Sequence, residues 1–128
     1  VCKDSKMQLA QIIDDENIVD YENLEVKYLK VLRVKTKEDL INLENNYYLV
    51  DAFVQEFGGA GKRLALSWFE DIDCSKIILA GGLSSENLKE LNGFNFFAVD
   101  VSSAVEKQKG IKDREKMIEF VKAANEII

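Results

Sequence analysis

The sequence predicts an α/β protein in which parallel strands alternate with helices. Short apolar runs recur along the 128 residues, segments with helical spacing separate most of them, and several runs end at Gly or Asp. Continuous apolar runs of this kind are typical of strands that helices cover on both faces. The pattern fits two architectures, a doubly wound open sheet or part of a (β/α)8 barrel, and the length fits one domain over residues 1–128.

The N-terminal half contains three of the five predicted strands. They lie at Met7–Ile13, Tyr28–Val34 and Tyr47–Val54, and the second and third are rich in the β-branched and aromatic residues that strands favour. Between the second and the third, Lys37–Asn45 spaces its leucines as a helix does, and Thr36 is in the position of a helix cap. This half therefore reads as strand, strand, helix, strand.

The C-terminal half continues the alternation. A short helix is predicted around Ser67–Asp71, followed by a strand at Lys76–Ala80 (KIILA). The segment Ser84–Leu91 starts with a serine cap and has Glu86–Leu91 as a helix. The last strand is predicted at Phe94–Val101 and the longest helix at Asp113–Ile128, with Asp113 as its N-cap. The chain thus ends as two further strand–helix units.

Composition excludes several classes of function. A net charge of −6 argues against a nucleic-acid-binding protein. The basic residues between 107 and 114 are interleaved with Glu106, Asp113 and Glu115, which indicates a solvated face. No apolar run reaches the roughly 20 residues of a membrane helix, and the first residues do not resemble a secretory signal. Two cysteines without paired spacing favour the cytoplasm. The absence of histidine excludes histidine catalysis and histidine metal sites.

Glycines and serines follow the last two predicted strands. Gly81 and Gly82 end one strand, and Ser102 and Ser103 come just after the other. Glycines let main-chain N–H groups approach an anion, and serines add hydroxyl donors. The phosphate site of α/β barrels uses the loops after the last two strands, so we predict an anion site here. The alternative is that the glycines form a tight turn and the serines cap a helix.

A lone carboxylate, Asp51, lies at the end of the third predicted strand. Function gathers at the carboxyl ends of parallel strands, so Asp51 is a candidate general acid, although a turn or capping aspartate would share this position. The glycine-rich stretch that follows does not match a P-loop. We interpret it as a lid over the site, with a plain flexible loop as the alternative. Its residues are Gly58, Gly59, Gly61 and Lys62.

Three blocks of sequence resemble the phosphoribosylanthranilate isomerase family. They are LVDAFVQEFGGAGKR (Leu49–Arg63), ILAGGLSSENL (Ile78–Leu88) and FAVDVSSAVEKQKGIKDREKMIEFV (Phe97–Val121), with a weaker match at QIIDDE (Gln11–Glu16). The resemblance implies a (β/α)8 barrel of which this chain supplies about strand 4 to helix 8. It also implies that the chain needs the first three βα units for activity.

The resemblance implies an activity and residue roles. The reaction is the Amadori rearrangement of N-(5-phosphoribosyl)anthranilate to 1-(2-carboxyphenylamino)-1-deoxyribulose 5-phosphate in tryptophan biosynthesis, without a metal or organic cofactor. Asp51 matches the general acid that protonates the ribose ring oxygen, Asp100 matches a substrate-contacting aspartate, and Gly58–Lys62 matches the loop that closes over the site. The phosphate loops match Gly81, Gly82, Ser102 and Ser103.

The chain departs from the family pattern at several positions. The family's general base is a cysteine at the end of strand 1, which neither Cys2 nor Cys74 matches in motif or position. Ile13-Asp14 replaces a family His-Gly pair, and Ala104 replaces a glycine beside the phosphate loop. Two alternatives therefore stay open: a related barrel that acts on another phosphosugar, and a non-catalytic half-barrel that binds phosphate or self-associates through its open edges.

Overall fold

The computed structural model describes residues 4–14, 16–41, 43–55, 61–63 and 66–128, and a parallel five-stranded sheet forms its centre. In chain order, the strands and the α-helix are β1 (Leu9–Ile13), β2 (Lys27–Arg33), β3 (Tyr48–Asp51), β4 (Phe53–Gln55), β5 (Gly61–Arg63), β6 (Ile77–Ala80), β7 (Ala98–Val99), β8 (Glu106–Gln108), β9 (Ile111–Lys112) and α1 (Arg114–Ile127). The 3₁₀ helices are Tyr21–Asn23, Lys37–Leu40, Leu66–Phe69, Leu88–Leu91 and Ser103–Val105.

The order of strands in the sheet distinguishes the two predicted architectures. The sheet runs β1-β2-β3-β6-β7 with every neighbouring pair parallel, so the strands follow one another in chain order without a reversal. A doubly wound sheet reverses its order at a switch point, whereas a barrel does not. The prediction of a partial (β/α)8 barrel is confirmed. Within the described residues the sheet does not close, and β1 and β7 are its edges.

The register brings the carboxyl ends of the central strands to one edge. Arg33 pairs with Asp51, and Asp51 pairs with Ala80. Two further hydrogen bonds continue this ladder: the Ala52 N–H donates to the carbonyl of Ala80 at 2.9 Å, and the Asp100 N–H donates to that of Leu79 at 2.8 Å. The residues that follow β3, β6 and β7 therefore start from the same level of the sheet.

The core lies on one face of the sheet. Val50 of β3 is fully buried, and Leu79 of β6 is 2% exposed. They pack in one cluster with Phe69, Leu88 and Phe120, which come from two of the 3₁₀ helices and from α1. Full burial of a leucine or phenylalanine side chain contributes about 1.5–3 kcal/mol. The connecting segments are therefore attached to the sheet mainly through their apolar side chains.

The connecting helices are shorter than the sequence predicts. Lys37–Leu40, Leu66–Phe69 and Leu88–Leu91 are single 3₁₀ turns, and the N-cap of the last is Asn87 instead of the predicted serine. Starting an α-helix costs conformational entropy that a segment of one or two turns recovers poorly, so the tighter turn suffices here. The long C-terminal helix is confirmed as α1, whose N-cap Asp113 accepts a hydrogen bond from the Lys116 N–H at 3.1 Å.

Two predicted strands also differ in length. The strand predicted at Tyr47–Val54 divides at Ala52, because β4 leaves the main sheet and pairs antiparallel with β5. The last strand is reduced to Ala98–Val99, after Gly93 and Asn95 take positive φ angles of 93° and 58° that interrupt an extended chain. In the described part of the chain, no helix is long and apolar enough to cross a membrane.

Candidate functional site

A cavity of about 410 Å³ opens at the carboxyl ends of the parallel strands. Residues of four strands line it, and the loops after β6 and β7 contribute residues 81–84 and 100–104. The strand residues are Gln11, Ile13, Val31, Leu49, Asp51 and Ala80. Every one of the predicted acid, substrate-contacting and phosphate-binding residues lines this cavity: Asp51, Asp100, Gly81, Gly82, Ser102 and Ser103.

Asp51 reaches the cavity through the alternation of strand β3. Leu49 and Asp51 line the cavity, whereas Tyr48 and Val50 belong to the core on the opposite face. Successive side chains of a strand point to opposite faces, so this division follows directly from the sequence. The half-buried Asp51 is the last residue of its strand, and its carbonyl accepts a hydrogen bond from the Val34 N–H at 3.4 Å.

The loop after β6 depends on two glycines in the left-handed conformation. Gly81 has a φ of 97° and Gly82 a φ of 68°, which a residue with a Cβ adopts only with strain. The Asn87 side chain closes the loop: its Nδ2 donates to the carbonyl of Gly82 at 2.8 Å, and its Oδ1 accepts from the Ser84 N–H at 2.9 Å. The loop is thereby fixed against the start of the next 3₁₀ helix.

The loop after β7 is joined to a hairpin. Ser102 and Ser103 are exposed at the start of the 3₁₀ helix Ser103–Val105, and Lys112 of the β8–β9 hairpin donates to the carbonyl of Ser102 at 2.8 Å. The same ammonium lies 2.9 Å from Glu106 Oε1. This hydrogen bond, with a second from the Gly110 N–H, holds the pKa of the Glu106 carboxyl below its usual value.

The electrostatics of the cavity are acidic. Asp51 and Asp100 supply two carboxylates, and none of the lining residues in the described part of the chain is a lysine or arginine. An anion bound there would rely on main-chain N–H groups and hydroxyls, together with positive charge just outside the lining. Within the same described residues, no three His, Cys, Asp or Glu side chains come together as a metal-ion site.

Asp14, one of the two residues that replace the family His-Gly pair, has a structural role. The Asp14 carboxylate, just after β1, accepts hydrogen bonds from the Ile18 and Val19 N–H groups at 2.9 and 3.1 Å. Desolvation raises the pKa of Asp14, but these hydrogen bonds, with one from Tyr21 and the charge of Lys30, outweigh it and keep the pKa below its ordinary value. Ile13 lines the cavity as an apolar residue.

Several residues of the site were missed by the sequence interpretation. Gln11 and Val31 line the cavity. The sequence could have predicted them, because alternate residues of a strand share a face and Ile13 and Leu49 line the same cavity. Asn87 was assigned only to a helix. Residues 107–114 were interpreted as a solvated face; Lys112 is exposed, but it also contacts Ser102, which that interpretation did not predict.

The predicted lid is only partly described. Gly58 and Gly59 lie outside the described residues, and Gly61 and Lys62 begin strand β5, which pairs with β4 directly after Asp51. Their role as a lid stays a prediction. Ala104, in place of the family glycine, belongs to the 3₁₀ helix and is not among the described residues with a positive φ.

Cys74 lies away from the cavity. It precedes β6, is 3% exposed, and its thiol donates weakly to the carbonyls of Phe69 and Ile72, both at 3.7 Å. Burial raises the pKa of this thiol to about 11. A protonated thiol at the amino end of a strand does not serve as a base for the cavity. Cys2 lies outside the described residues.

Comparison with known proteins identifies related sequences. The family model described as N-(5'phosphoribosyl)anthranilate (PRA) isomerase matches residues 2–123. The N-(5'-phosphoribosyl)anthranilate isomerase of a Nitratiruptor species is 52% identical over 124 residues, covering 97% of this chain and 63% of that protein. That of a Sulfurovum species is 44% identical over 99% of this chain and 65% of that protein. The chain thus spans less than two thirds of the length of these relatives.

Solved structures show the same fold. The crystal structure of phosphoribosyl anthranilate isomerase from Thermotoga maritima superposes with a TM-score of 0.79 at 26% identity, covering 98% of this chain and 65% of that chain. A second structure of such an isomerase, in complex with reduced 1-(o-carboxyphenylamino)-1-deoxyribulose 5-phosphate, superposes with a TM-score of 0.73 at 25% identity, covering 98% of this chain and 63% of that chain.

Proposed function

Because the chain belongs to the N-(5'-phosphoribosyl)anthranilate isomerase family, we propose that its cavity binds N-(5-phosphoribosyl)anthranilate and serves the Amadori rearrangement of that compound. The observation that supports this most is the joint position of Asp51 and of two Gly/Ser loops around one cavity of about 410 Å³. An acid and an anion site that line one cavity suit a sugar that reacts at one end and carries phosphate at the other.

Asp51 acts as the general acid in this proposal. Protonation of the ribose ring oxygen lets the C1–O bond break, so that the ring opens to an imine with the anthranilate nitrogen. Loss of the C2 proton then gives an enolamine, which becomes the amino ketone of the product. No residue of the described chain is assigned as the base for the C2 proton, since Cys74 is buried at the other end of β6.

The two loops hold the phosphate. Gly81 and Gly82 bring the main chain close to the anion, and the hydroxyls of Ser102 and Ser103 donate to it. Asp100, the first residue of the loop after β7, contacts the sugar. The relative of known structure that carries a reduced ribulose 5-phosphate derivative supports a phosphosugar as the ligand.

The test is an isomerase assay on the complete gene product that contains this chain, with substrate consumption followed by anthranilate fluorescence. We expect turnover of N-(5-phosphoribosyl)anthranilate and none of indoleglycerol phosphate, which would be the substrate of a related barrel. A second comparison assays the 128 residues alone and the same residues supplied with the first three βα units of a relative. Turnover only in the supplemented protein would fit the expectation that those units complete the site.

A second proposal concerns self-association. Strands β1 and β7 form the edges of the described sheet, and Leu9 and Ile13 of β1 are 55% and 50% exposed. An open strand edge with apolar side chains favours pairing with another strand. We expect the 128-residue chain to form concentration-dependent oligomers in light scattering. For the location of the protein, a separate expectation, we expect it in the cytoplasmic fraction of cells. A strictly monomeric chain at high concentration would contradict the first expectation.

A further inference from the structure

The ammonium group of Lys112 lies against a residue that lines the cavity. Its Nζ donates to the carbonyl of Ser102 at 2.8 Å and is 3.4 Å from the Ser102 Oγ. Lys112 is ten residues further along the chain, and the β8–β9 hairpin returns it to this position. The contact is therefore a product of the fold and not of a local turn.

The rest of the hairpin holds this ammonium in place. Glu106 Oε1 accepts from Lys112 Nζ at 2.9 Å, and Glu106 Oε2 accepts from the Gly110 N–H at 3.2 Å. The hairpin is in turn joined to α1, because Lys116 Nζ donates to the carbonyl of Glu106 at 2.9 Å. The Lys112 side chain is 44% exposed. Its ammonium group nevertheless has three acceptors around it, the Ser102 carbonyl, the Ser102 Oγ and the Glu106 Oε1.

The contact with Lys112 limits the hydrogen bonds that the Ser102 hydroxyl can make. An ammonium group is only a donor, so the Ser102 Oγ can only accept from it. The single hydroxyl proton of Ser102 is then left to donate to another group, and a phosphate dianion offers only acceptors. The cavity is also lined by the acidic residue Asp100, without a lysine or arginine among its described lining residues. Positive charge beside Ser102 reduces the repulsion that an anion meets there.

We propose that Lys112 is a positioning residue for the phosphate loop, which fixes the Ser102 main chain and orients the Ser102 hydroxyl as a donor to a bound phosphate. This rests on the phosphate site of the proposed function. Lys112 acts through Ser102, so its loss weakens binding of the phosphate group and leaves the chemistry at Asp51 nearly unchanged.

The experiment compares Lys112→Met with Lys107→Met in the complete gene product, using inorganic phosphate and isothermal titration calorimetry. Lys107 lies exposed on the same hairpin and serves as the matched control. We expect Lys112→Met to bind phosphate roughly tenfold more weakly than the wild type, because it loses a charge-assisted contact. We expect Lys107→Met to bind phosphate like the wild type. For the isomerase substrate, KM rises by a similar factor while kcat changes less than about twofold.

A double-mutant cycle with Ser102→Ala separates positioning from direct contact. If Lys112 orients the Ser102 hydroxyl, Lys112→Met weakens phosphate binding less in the Ser102→Ala background than in the wild type. Additive effects of the two changes would show that Lys112 does not orient this hydroxyl and would overturn the proposal. Lys112→Gln, which keeps a donor but no charge, provides a second variant with an expected intermediate affinity.

The outcomes distinguish this inference from the proposed function. Weaker phosphate binding by Lys112→Met in a protein without isomerase turnover would contradict the function and support the positioning role. Equal phosphate affinity of Lys112→Met and wild type would overturn the positioning role, even in an active isomerase. A wild-type protein that binds no phosphate would also overturn it.

Discussion

The side-chain amide of Asn87 donates to the carbonyl of Gly82 at 2.8 Å, and its oxygen accepts from the Ser84 N–H at 2.9 Å. One side chain thus joins the loop after β6 to the 3₁₀ helix that follows. The loop contains Gly81, Gly82 and Ser84, all of which line the cavity. The shape of this wall of the cavity therefore depends on a residue that itself lies outside the lining.

Asn87→Ala removes both hydrogen bonds. We expect a loss of about 1–2 kcal/mol in the free energy of unfolding, because main-chain groups of a partly buried loop lose their partners. We also expect weaker binding of phosphate, measured by calorimetry. Asn125→Ala, on the exposed face of α1, is the control and should change the unfolding free energy by less than about 0.5 kcal/mol. Phosphate binding equal to wild type in Asn87→Ala would contradict the role of this side chain.

Gly82→Ala tests the conformation of the phosphate loop. Gly82 has a φ of 68°, so we expect alanine to cost about 1–2 kcal/mol of stability and to shift the loop. Gly93→Ala is a matched control, since Gly93 has a φ of 93° and an added Cβ would meet nothing within 4 Å. Denaturant unfolding should show similar losses for both variants, whereas phosphate titration should show several-fold weaker binding for Gly82→Ala alone. Equal phosphate affinities would place the anion elsewhere.

The buried thiol of Cys74 gives a prediction on pH. Its pKa rises from an ordinary value of 9.0 to about 11, so the folded protein keeps this proton at pH values where the unfolded chain releases it. Its contribution to stability is present below pH 9 and is lost as the pH rises towards 11. We expect the unfolding free energy to fall more steeply in this range for the wild type than for Cys74→Ala. Parallel curves for the two proteins would contradict the assignment.

Labelling gives a second readout for Cys74. A thiol-specific reagent at pH 8, followed by mass spectrometry of the peptides, should leave Cys74 unmodified in the folded protein and modify it after denaturation. Rapid modification of Cys74 in the folded state would contradict its burial before β6.

Much of the site could be predicted because it depends on short-range rules. The ends of the strands at Asp51 and Gly81 follow from apolar runs, and parallel strands bring their carboxyl ends together regardless of the details of packing. The alternation of β1 could have found Gln11 as well, since it shares a face with Ile13.

The remaining features of the fold and the site could not be predicted, because they depend on tertiary structure. Whether Lys37–Leu40 forms an α-helix or one 3₁₀ turn is decided by packing of Leu40 in the core, which sequence periodicity does not report. The contact of Lys112 with Ser102 requires the β8–β9 hairpin, whose bulge between Glu106 and Gln108 has no clear sequence signal. The charges of residues 107–114 looked like those of any solvated surface.

The measurement that tests the central claim most directly is the effect of Asp51→Asn on turnover and on phosphate affinity in the complete gene product. The amide keeps the shape of the side chain and removes its proton-donating ability. We expect kcat for N-(5-phosphoribosyl)anthranilate to fall at least about a hundredfold, while calorimetry shows phosphate binding within about twofold of the wild type. Turnover equal to wild type in Asp51→Asn would contradict the account, because the cavity would then bind phosphate without using Asp51 as its acid.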